Sequence, residues 1–410
     1  MLDDAFRKAI TIIERIELHG HKAYFVGGAV RDQYLSKEIG DIDITSSASP
    51  VEIQQMFDKV IPVGIEHGTV IVRIEGESYE VTTFRVEEGY SDFRRPDRVR
   101  FVDRIEDDLA RRDFTINAIA MDKRGNLIDP FGGKKDIELR QIRTVGNPVD
   151  RFQEDPLRIM RALRFSSQLG FTINQSTKEA LVNYIAWIEK IAIERISTEL
   201  EKMFNGYFIS NAIPLFVESN IGHYLPIFRD NLNLINDLNN HSVPLCSFSE
   251  IIAMFHLIKQ DISVKDWVSE WKLSNKIEKE ATILVNAIDH YREKSLDNWL
   301  IYSLPTNLFK AFIRLHSIFF PKSNLDLEQL NQMKMDLPIH SRKDLNLNGI
   351  EITNLFPDVP KGAWINNCLY QLERYVVLGH LNNQKNELKE WAKNGIHPES
   401  FNRNLRKEQE

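Results

Sequence analysis

The chain has 410 residues, of which 27% are charged and 42% hydrophobic, and its formal net charge is −7. That length allows about two to four domains of an ordinary globular protein. No apolar run is long enough for a transmembrane helix, and the charged, amphipathic start, Met1 to Glu14, is unlike a signal peptide, so a cytoplasmic protein with no membrane partner is expected. The two cysteines, Cys246 and Cys368, lie far apart with no metal-type spacing and read as buried thiols of a reducing compartment. The net acidity argues against non-specific binding of nucleic acid by the whole chain, and DNA is not an expected partner. From Arg85 to Arg164, however, 18 Lys/Arg stand against 16 Asp/Glu, so a polyanion would be met locally.

Residues 2–19 place Leu2, Phe6, Ala9, Ile10, Ile13 and Ile16 at helical spacing, and Gly20 ends the helix. Tyr24-Phe25-Val26 reads as a short strand, Gly27-Gly28 as a tight turn, and the residues through about Leu35 as a helix. Such a turn lets backbone N–H groups approach an anion at a helix N-terminus. It is neither a G-x-G-x-x-G fingerprint nor a P-loop. Asp41-Ile42-Asp43 then reads as a strand, with both carboxylates on one face and Ile42 and Ile44 behind. Two like charges so close call for a cation between them. A phosphate site beside such a pair is what nucleotidyl transfer requires.

Pro50 to Phe57 reads as a helix capped by Ser49. Strands are expected at Val60–Val63, Thr69–Ile74, Ser78–Phe84 and near Arg98–Val102, giving helices around a small sheet. Glu80 is a candidate third carboxylate or an edge-strand glutamate facing water. Residues 87–96 read as a polar, mobile loop, functional or a solvated hairpin tip. In Asp107 to Ala120, Ala110, Phe114, Asn117 and Ala118 fall at helical spacing. Arg111 and Arg112 near its start can grip a triphosphate and Asn117 can reach a ribose hydroxyl. The alternative is an ion-paired surface helix with Asp107, Asp108 and Asp113 as partners. Asp129-Pro130-Phe131-Gly132-Gly133 reads as a turn with Gly133 as a flexible elbow.

Beyond Asp150 the chain reads as helical to its end. A helix starts near Pro156 with Asp155 as N-cap, so Asp155 and Arg158 share a face of its first turn; a cap and a first-turn arginine are the plain structural reading. Arg195 and Glu199 are an i,i+4 pair suited to bracing a neighbouring helix. Residues 211–300 and 305–335 are amphipathic helices without evident chemistry, and the tail after Glu399 is charged.

Taken together, Gly27-Gly28-x-x-Arg31-Asp32, Asp41-x-Asp43, Arg111-Arg112-Asp113-Phe114-Thr115-x-Asn117-Ala118, Asp129-Pro130-Phe131-x-Gly133, Glu154-Asp155-x-x-Arg158 and Arg195-x-x-x-Glu199 resemble the class II tRNA nucleotidyltransferases, the CCA-adding enzymes of bacterial type. The motifs cover about the first half of the chain, in family order. The resemblance implies an α+β, seahorse-like fold of the polymerase-β superfamily. Its parts would be a nucleotidyltransferase head with a small mixed sheet (1–147), a helical neck for nucleotide selection (148–206), a helical body (207–335) and a helical, tRNA-binding tail (336–410). It implies Asp41 and Asp43 as catalytic ligands of Mg2+. Gly28, Arg31, Arg112, Asn117, Asp155, Arg158, Arg161 and Arg164 would bind ATP or CTP, and Asp92, Arg94 and Arg95 would belong to a flexible loop needed for A addition.

Cytosine and adenine both present an amine donor beside a ring-nitrogen acceptor. Asp155 can accept from the first and Arg158 donate to the second, whereas guanine and uracil reverse both polarities. The expected reaction is therefore template-independent addition of C, C and A to a tRNA 3′ end. Narrower CC- or A-adding enzymes are the nearest alternatives. A poly(A) polymerase is another, against which Glu66-His67-Gly68 departs from a Gly-Arg-Arg-Phe type element. A non-catalytic RNA-binding module is the reading of a different class. The tRNA acceptor and T arms would be recognised by shape. No attached phosphohydrolase domain is expected.

Overall fold

A computed structural model describes residues 2–93, 96–238 and 243–395. The chain divides into two compact units, Met1–Cys246 with Ser269–Leu273, and Ser247–Val268 with Ser274–Glu410.

The first unit opens with α1 (Asp4–Leu18), capped by the Asp3 carboxylate and burying Phe6, Ala9, Ile12, Ile13 and Ile16. Then follow β1 (Ala23–Val26), α2 (Gly28–Tyr34), β2 (Asp43–Ser46), α3 (Pro50–Met56), β3 (Val60–Gly64), β4 (Thr69–Ile74) and β5 (Glu77–Thr83). Ser49 and Glu52 close a reciprocal capping box on α3, as the expected Ser49 cap requires. β6 (Arg85–Glu88) and β7 (Arg98–Phe101) form a separate antiparallel hairpin. After them come α4 (Ile105–Ala110), β8 (Ala120–Met121), β9 (Leu127–Ile128), α5 (Gly133–Glu138) and β10 (Gln141–Ile142).

The seven-stranded sheet runs β3-β4-β5-β2-β1-β8-β9. β2 and β5 are parallel, and the other neighbours are antiparallel. One face carries Phe25, Ile44, Val70, Val72, Tyr79 and Val81 into the core. The other face, set by the period of two, carries Asp43, Glu80 and Thr82. At the β1 end that face is covered by a cluster of Val26, Phe84, Ile105, Leu109, Ala118, Ala120 and Val145.

The segment 107–120 is not one helix. α4 stops at Ala110 because Asp113 turns the chain: its carboxylate accepts from Phe114 N (2.8 Å) and its carbonyl from Val145 N (3.1 Å). Phe114 is extended and bridges to Thr144. Local side-chain hydrogen bonding has overridden the helical spacing. Gly133 is no elbow either. A Cβ there would run into the Thr115 carbonyl, while Asp129 accepts from Gly133 N and Lys134 N and caps α5.

The rest of the first unit is helical: α6 (Pro148–Glu154), α7 (Leu157–Leu169), α8 (Gln175–Tyr184), α9 (Ile193–Phe204), α10 (Ile209–Glu218) and α11 (Asn233–Asp237), with β11 (Thr172–Ile173) pairing parallel to β10. The second unit is built from α12 (Phe248–Ile258), α13 (Val264–Glu270, whose last turn belongs to the first unit), α14 (Asn275–Lys294), α15 (Asn298–Ser303), α16 (Phe309–Phe319), α17 (Leu327–Met335), α18 (Gly349–Leu355), α19 (Ala363–Val377) and α20 (Lys385–Gly395). No helix among the described residues is long and apolar enough to cross a membrane. Cys368 is buried as expected; Cys246 is exposed, which corrects the reading of both thiols as core residues.

Candidate active site

The strand of the acidic pair begins at Asp43, so the two aspartates do not share a strand as the sequence suggests. Asp41 lies just before it and is exposed, Asp43 is half-buried, and Ile42 and Ile44 pack behind. Glu80 faces solvent, as the water-facing alternative has it, but it is not on an edge strand: it stands directly opposite Asp43 on the interior strand β5 and lines the same cavity. Burial pushes the Asp43 carboxyl up to about 6, helped by Glu80 and, less, by Asp41, against the opposing pull of Arg112. Three carboxylates thus load one small region with negative charge. Carboxylate oxygens are the donors that suit a divalent cation, the kind of ion that nucleotidyltransferases use, with most positions left to substrate oxygens and water. Among the described residues no three or more His, Cys, Asp and Glu side chains are grouped so as to hold a metal ion by themselves, so such an ion would draw on two carboxylates at most and on substrate oxygens.

Two cavities share a wall at Asp43. The first, about 360 Å³, is lined by Asp43, Thr69, Glu80, Thr82, Arg85 and Glu87 from the sheet and hairpin, and by Asp155, Arg158 and Arg195 from the helices. The second, about 400 Å³, is lined by Gly27, Gly28, Arg31, Asn117, Arg164, Phe165 and Lys202. Asp43, Arg112, Asp113 and Arg161 border both. The second cavity is a cationic cradle. Gly27, at φ 78°, leaves room for Arg112, whose Nη1 would lie 3.1 Å from a Cβ at that position. Arg31, Arg161 and Arg164 all pack on the ring of Phe165, at 5.3, 5.5 and 4.2 Å from its centroid. Crowding has a cost: burial, then Arg161, brings Arg164 down to about 10, although Glu199 holds it at 3.1 Å.

Several expected ligand-binding groups already have protein partners. Arg31 gives Nη1 to Asn117 Oδ1 (2.6 Å) and Nε and Nη2 to Asp32 (2.9 Å each). Asn117 in turn gives Nδ2 to Asp113 (3.2 Å), so both of its polar ends position neighbours. Asp113 sits at about 2: burial alone would raise it, but Arg161 and Arg158 outweigh burial. The two motif arginines part company. Arg111 turns to Asp108 (2.9 Å) and Glu87 (3.1 Å), as in the ion-paired alternative; Arg112 shares Asp108 at 3.8 Å but carries its Nη1 to the Gly27 turn, beside Asp43.

At the other end, Asp155 caps α7 through Leu157 N (3.1 Å) and is braced by Arg195 Nη2 (2.8 Å). Arg158, only 8% exposed, donates to Glu154 (2.5 Å), the Arg151 carbonyl (3.0 Å) and the Arg111 carbonyl (3.0 Å). Both edges that could read a base are therefore fixed before any base arrives. α9 supplies both braces, Arg195 on Asp155 and Glu199 on Arg164, as its i,i+4 spacing suggests.

Of the segment 87–96, Glu87 and Glu88 end β6 and pair with β7, and residues 89–93 lie at the connection of the β6–β7 hairpin. Tyr90 donates to Glu87 (2.7 Å), and Asp97 accepts from Ser91 Oγ (2.6 Å). Phe93 packs edge-on against Trp187 (5.9 Å) with Lys190 Nζ 3.9 Å from its ring centre, so the tip is not merely solvated. Asp92 lies in this turn; Arg94 and Arg95 fall outside the described residues. Sequence reasoning missed Phe165, Lys202 and Glu87. For Phe165 a signal existed, because it follows Arg161 at i+4 and Arg164 at i+1.

A two-stranded carboxylate site on a small sheet, flanked by a cationic cradle and a polar base-sized cavity, defines a nucleotidyltransferase. In agreement, the family model described as Poly A polymerase head domain matches residues 23–143. Probable RNA and SrmB-binding site of polymerase A matches 170–232, and tRNA nucleotidyltransferase domain 2 matches 247–392. A CCA-adding enzyme of Oceanobacillus iheyensis is 46% identical over 393 residues, covering 96% of this chain and 98% of its own. One from Bacillus subtilis is 40% identical over 401 residues, covering 96% and 99%. The crystal structure of the Bacillus stearothermophilus CCA-adding enzyme in complex with CTP superimposes with a TM-score of 0.86 at 35% identity, covering all of both chains. The chain belongs to the CCA-adding enzyme family, and it is an enzyme.

Proposed function

We propose that the protein adds C, C and A to the 3′ end of tRNA from CTP and ATP, without a nucleic-acid template, releasing pyrophosphate. The observation that carries this reading is the placement of Asp155 and Arg158 in the cavity that Asp43 borders. In this reading the triphosphate lies in the Gly27-Gly28 cradle, neutralised by Arg31, Arg112, Arg161, Arg164 and Lys202. The base projects toward Asp155 and Arg158. Asp155 accepts from the exocyclic amine and Arg158 donates to the ring nitrogen. A uracil or guanine would leave Asp155 facing a carbonyl and Arg158 facing an N–H, and mispaired buried groups are costly. Arg195 and Glu154 position the two readers and do not touch the base.

Asp41 and Asp43 would hold Mg2+, which suits oxygen donors and substrate phosphates; bound there it would supply activation of the attacking hydroxyl and neutralise charge on the leaving pyrophosphate. The head (1–147), neck (148–206), body (207–335) and tail (336–410) divide the work into chemistry, selection and tRNA binding. The cytoplasm is the compartment where such a substrate occurs. The resemblance of residues 87–96 to the family's flexible loop, with Asp92, Arg94 and Arg95, supports A addition by the same chain. The test is product length on a tRNA ending at the discriminator base with CTP, ATP and magnesium. Three added nucleotides ending in A support the reading. Two cytidines alone would make it a CC-adding enzyme, and a long A tract would make it a poly(A) polymerase.

A further inference from the structure

Nucleotidyl transfer joins two substrates at one carboxylate site, and the groups assigned above serve only one of them. The cradle, Arg112, Asp155 and Arg158 all lie on β1, α2 and the segments that follow β7. The strands on the other side of Asp43 carry none of them. Their register is informative. Asp43 pairs with Glu80, Glu80 with Ile71, and Ile71 with Ile61, so these four side chains form one row across β2, β5, β4 and β3 on one face. The adjacent row holds Thr45, Thr82 and Thr69, with the Thr69 and Thr82 hydroxyls 3.3 Å apart. One row to the other side, Arg73 pairs with Ser78 and gives its Nε to the Ser78 hydroxyl at 3.1 Å.

β4 thus presents a hydroxyl, an apolar side chain and a cation in line: Thr69, Ile71 and Arg73. β3 is the sheet edge, and its Ile61 is 41% exposed. A singly exposed isoleucine is ordinary. Here it continues a row that starts at the candidate catalytic aspartate, and Thr69, Glu80 and Thr82 are the wall where this face meets the base cavity. We propose that this face of β5, β4 and β3 is the seat of the RNA 3′ terminus. The terminal base rests on Ile71 and Ile61, its ribose lies toward Glu80 and Asp43, and Arg73 holds a backbone phosphate. Apolar side chains suit unstacked bases, and a lone arginine suits a phosphate. The occupant must be the acceptor strand, because the 3′-hydroxyl has to reach Asp43 while the triphosphate fills the Gly27-Gly28 cradle on the opposite side. The proposal rests on the two-substrate reaction described above.

Arg73 and Ile61 are exposed, so Arg73→Glu and Ile61→Asp leave the core intact. Each is expected to raise the KM for a tRNA lacking its CCA end about tenfold, and Arg73→Glu to flatten the salt dependence by about one phosphate contact. CTP binding measured without RNA should not move, and Arg73→Lys should recover most of the RNA affinity. Independently, a 4-thiouridine at the RNA 3′ terminus should crosslink to the β3–β4 segment in the wild-type protein, whether or not nucleotides are added. Unchanged RNA KM in both variants, an equal loss of CTP binding, or crosslinks that map away from β3–β4 would overturn the seat. Crosslinking to β3–β4 by a protein that adds nothing would uphold the seat and overturn the function.

Discussion

The two compact units bury charge for opposite purposes. In the first unit, Arg31, Asp113, Asp155, Arg158, Arg161 and Arg164 are drawn from the surface and left facing cavities. Their partners orient them without closing the site, and Arg164 and Asp43 carry the electrostatic penalty in lowered and raised pKa values. In the second unit, buried charge is shut into compact pairs. Glu250, 1% exposed, receives both Nε (2.7 Å) and Nη2 (2.9 Å) of Arg314 and caps α12 with Ser247. Glu373 receives Arg342 (2.7 Å) and Tyr302. A carboxylate that faces a cavity keeps capacity for a ligand; one enclosed by a fork–fork pair and a cap is spent on the fold.

If that contrast is right, substitutions should separate function from stability by unit. Asp43→Asn is expected to have the largest effect, a loss of transfer on the order of a thousandfold or more, while melting is unchanged or raised because a repelled charge is gone. Quench-flow single turnovers with a scanning melt check both; transfer within tenfold of wild type would remove Asp43 from the reaction. Glu250→Gln should reverse the pattern. It leaves Arg314 facing a neutral amide and is expected to cost about 3 kcal/mol of stability in denaturant titration, with CTP binding to the folded protein retained. Asp155→Asn is intermediate. Discrimination for CTP and ATP over UTP and GTP should fall about a hundredfold, measured as ratios of kcat/KM, because an amide accepts and donates at the same edge. Discrimination that survives would assign base reading to other residues.

The same contrast explains what could be read in advance. The first half showed its family in the sequence because chemistry demands residue types at spacings: Asp41 and Asp43, Arg111 to Asn117, Asp155 and Arg158. What failed there were local conformations that side chains decide. Asp113 turned a helical spacing into an extended bridge, and packing of Gly133 on the Thr115 carbonyl replaced an elbow. The split between Arg111 and Arg112 also escaped: both reach Asp108, and what sets Arg111 apart is Glu87, 24 residues away. In the second unit the helices followed from apolar periodicity, but the Glu250–Arg314 pair spans 64 residues with no motif around either end. Long-range pairing that serves packing leaves no local signature.

The smallest expected effect concerns a buried group of the second unit that serves no pair. His316 is 1% exposed, with the rings of Tyr291, Phe312 and Phe320 at 4.5, 6.1 and 5.2 Å. Burial lowers its pKa, so the fold prefers the neutral imidazole. In the unfolded chain the ring protonates below about 6.5. Its contribution is therefore complete above that value and is lost as pH falls through the window beneath it, by at most about 1.4 kcal/mol per pH unit. His316→Phe keeps an aromatic side chain in the cage and removes the titration. The variant should gain on the wild type as pH drops from 7.5 to 5.5, in paired denaturant titrations at each pH. Subtracting one protein from the other cancels the remaining histidines. A difference that stays constant across that range would mean that the ring takes up its proton within the fold as readily as in the unfolded chain, and that the aromatic cage does not hold it neutral.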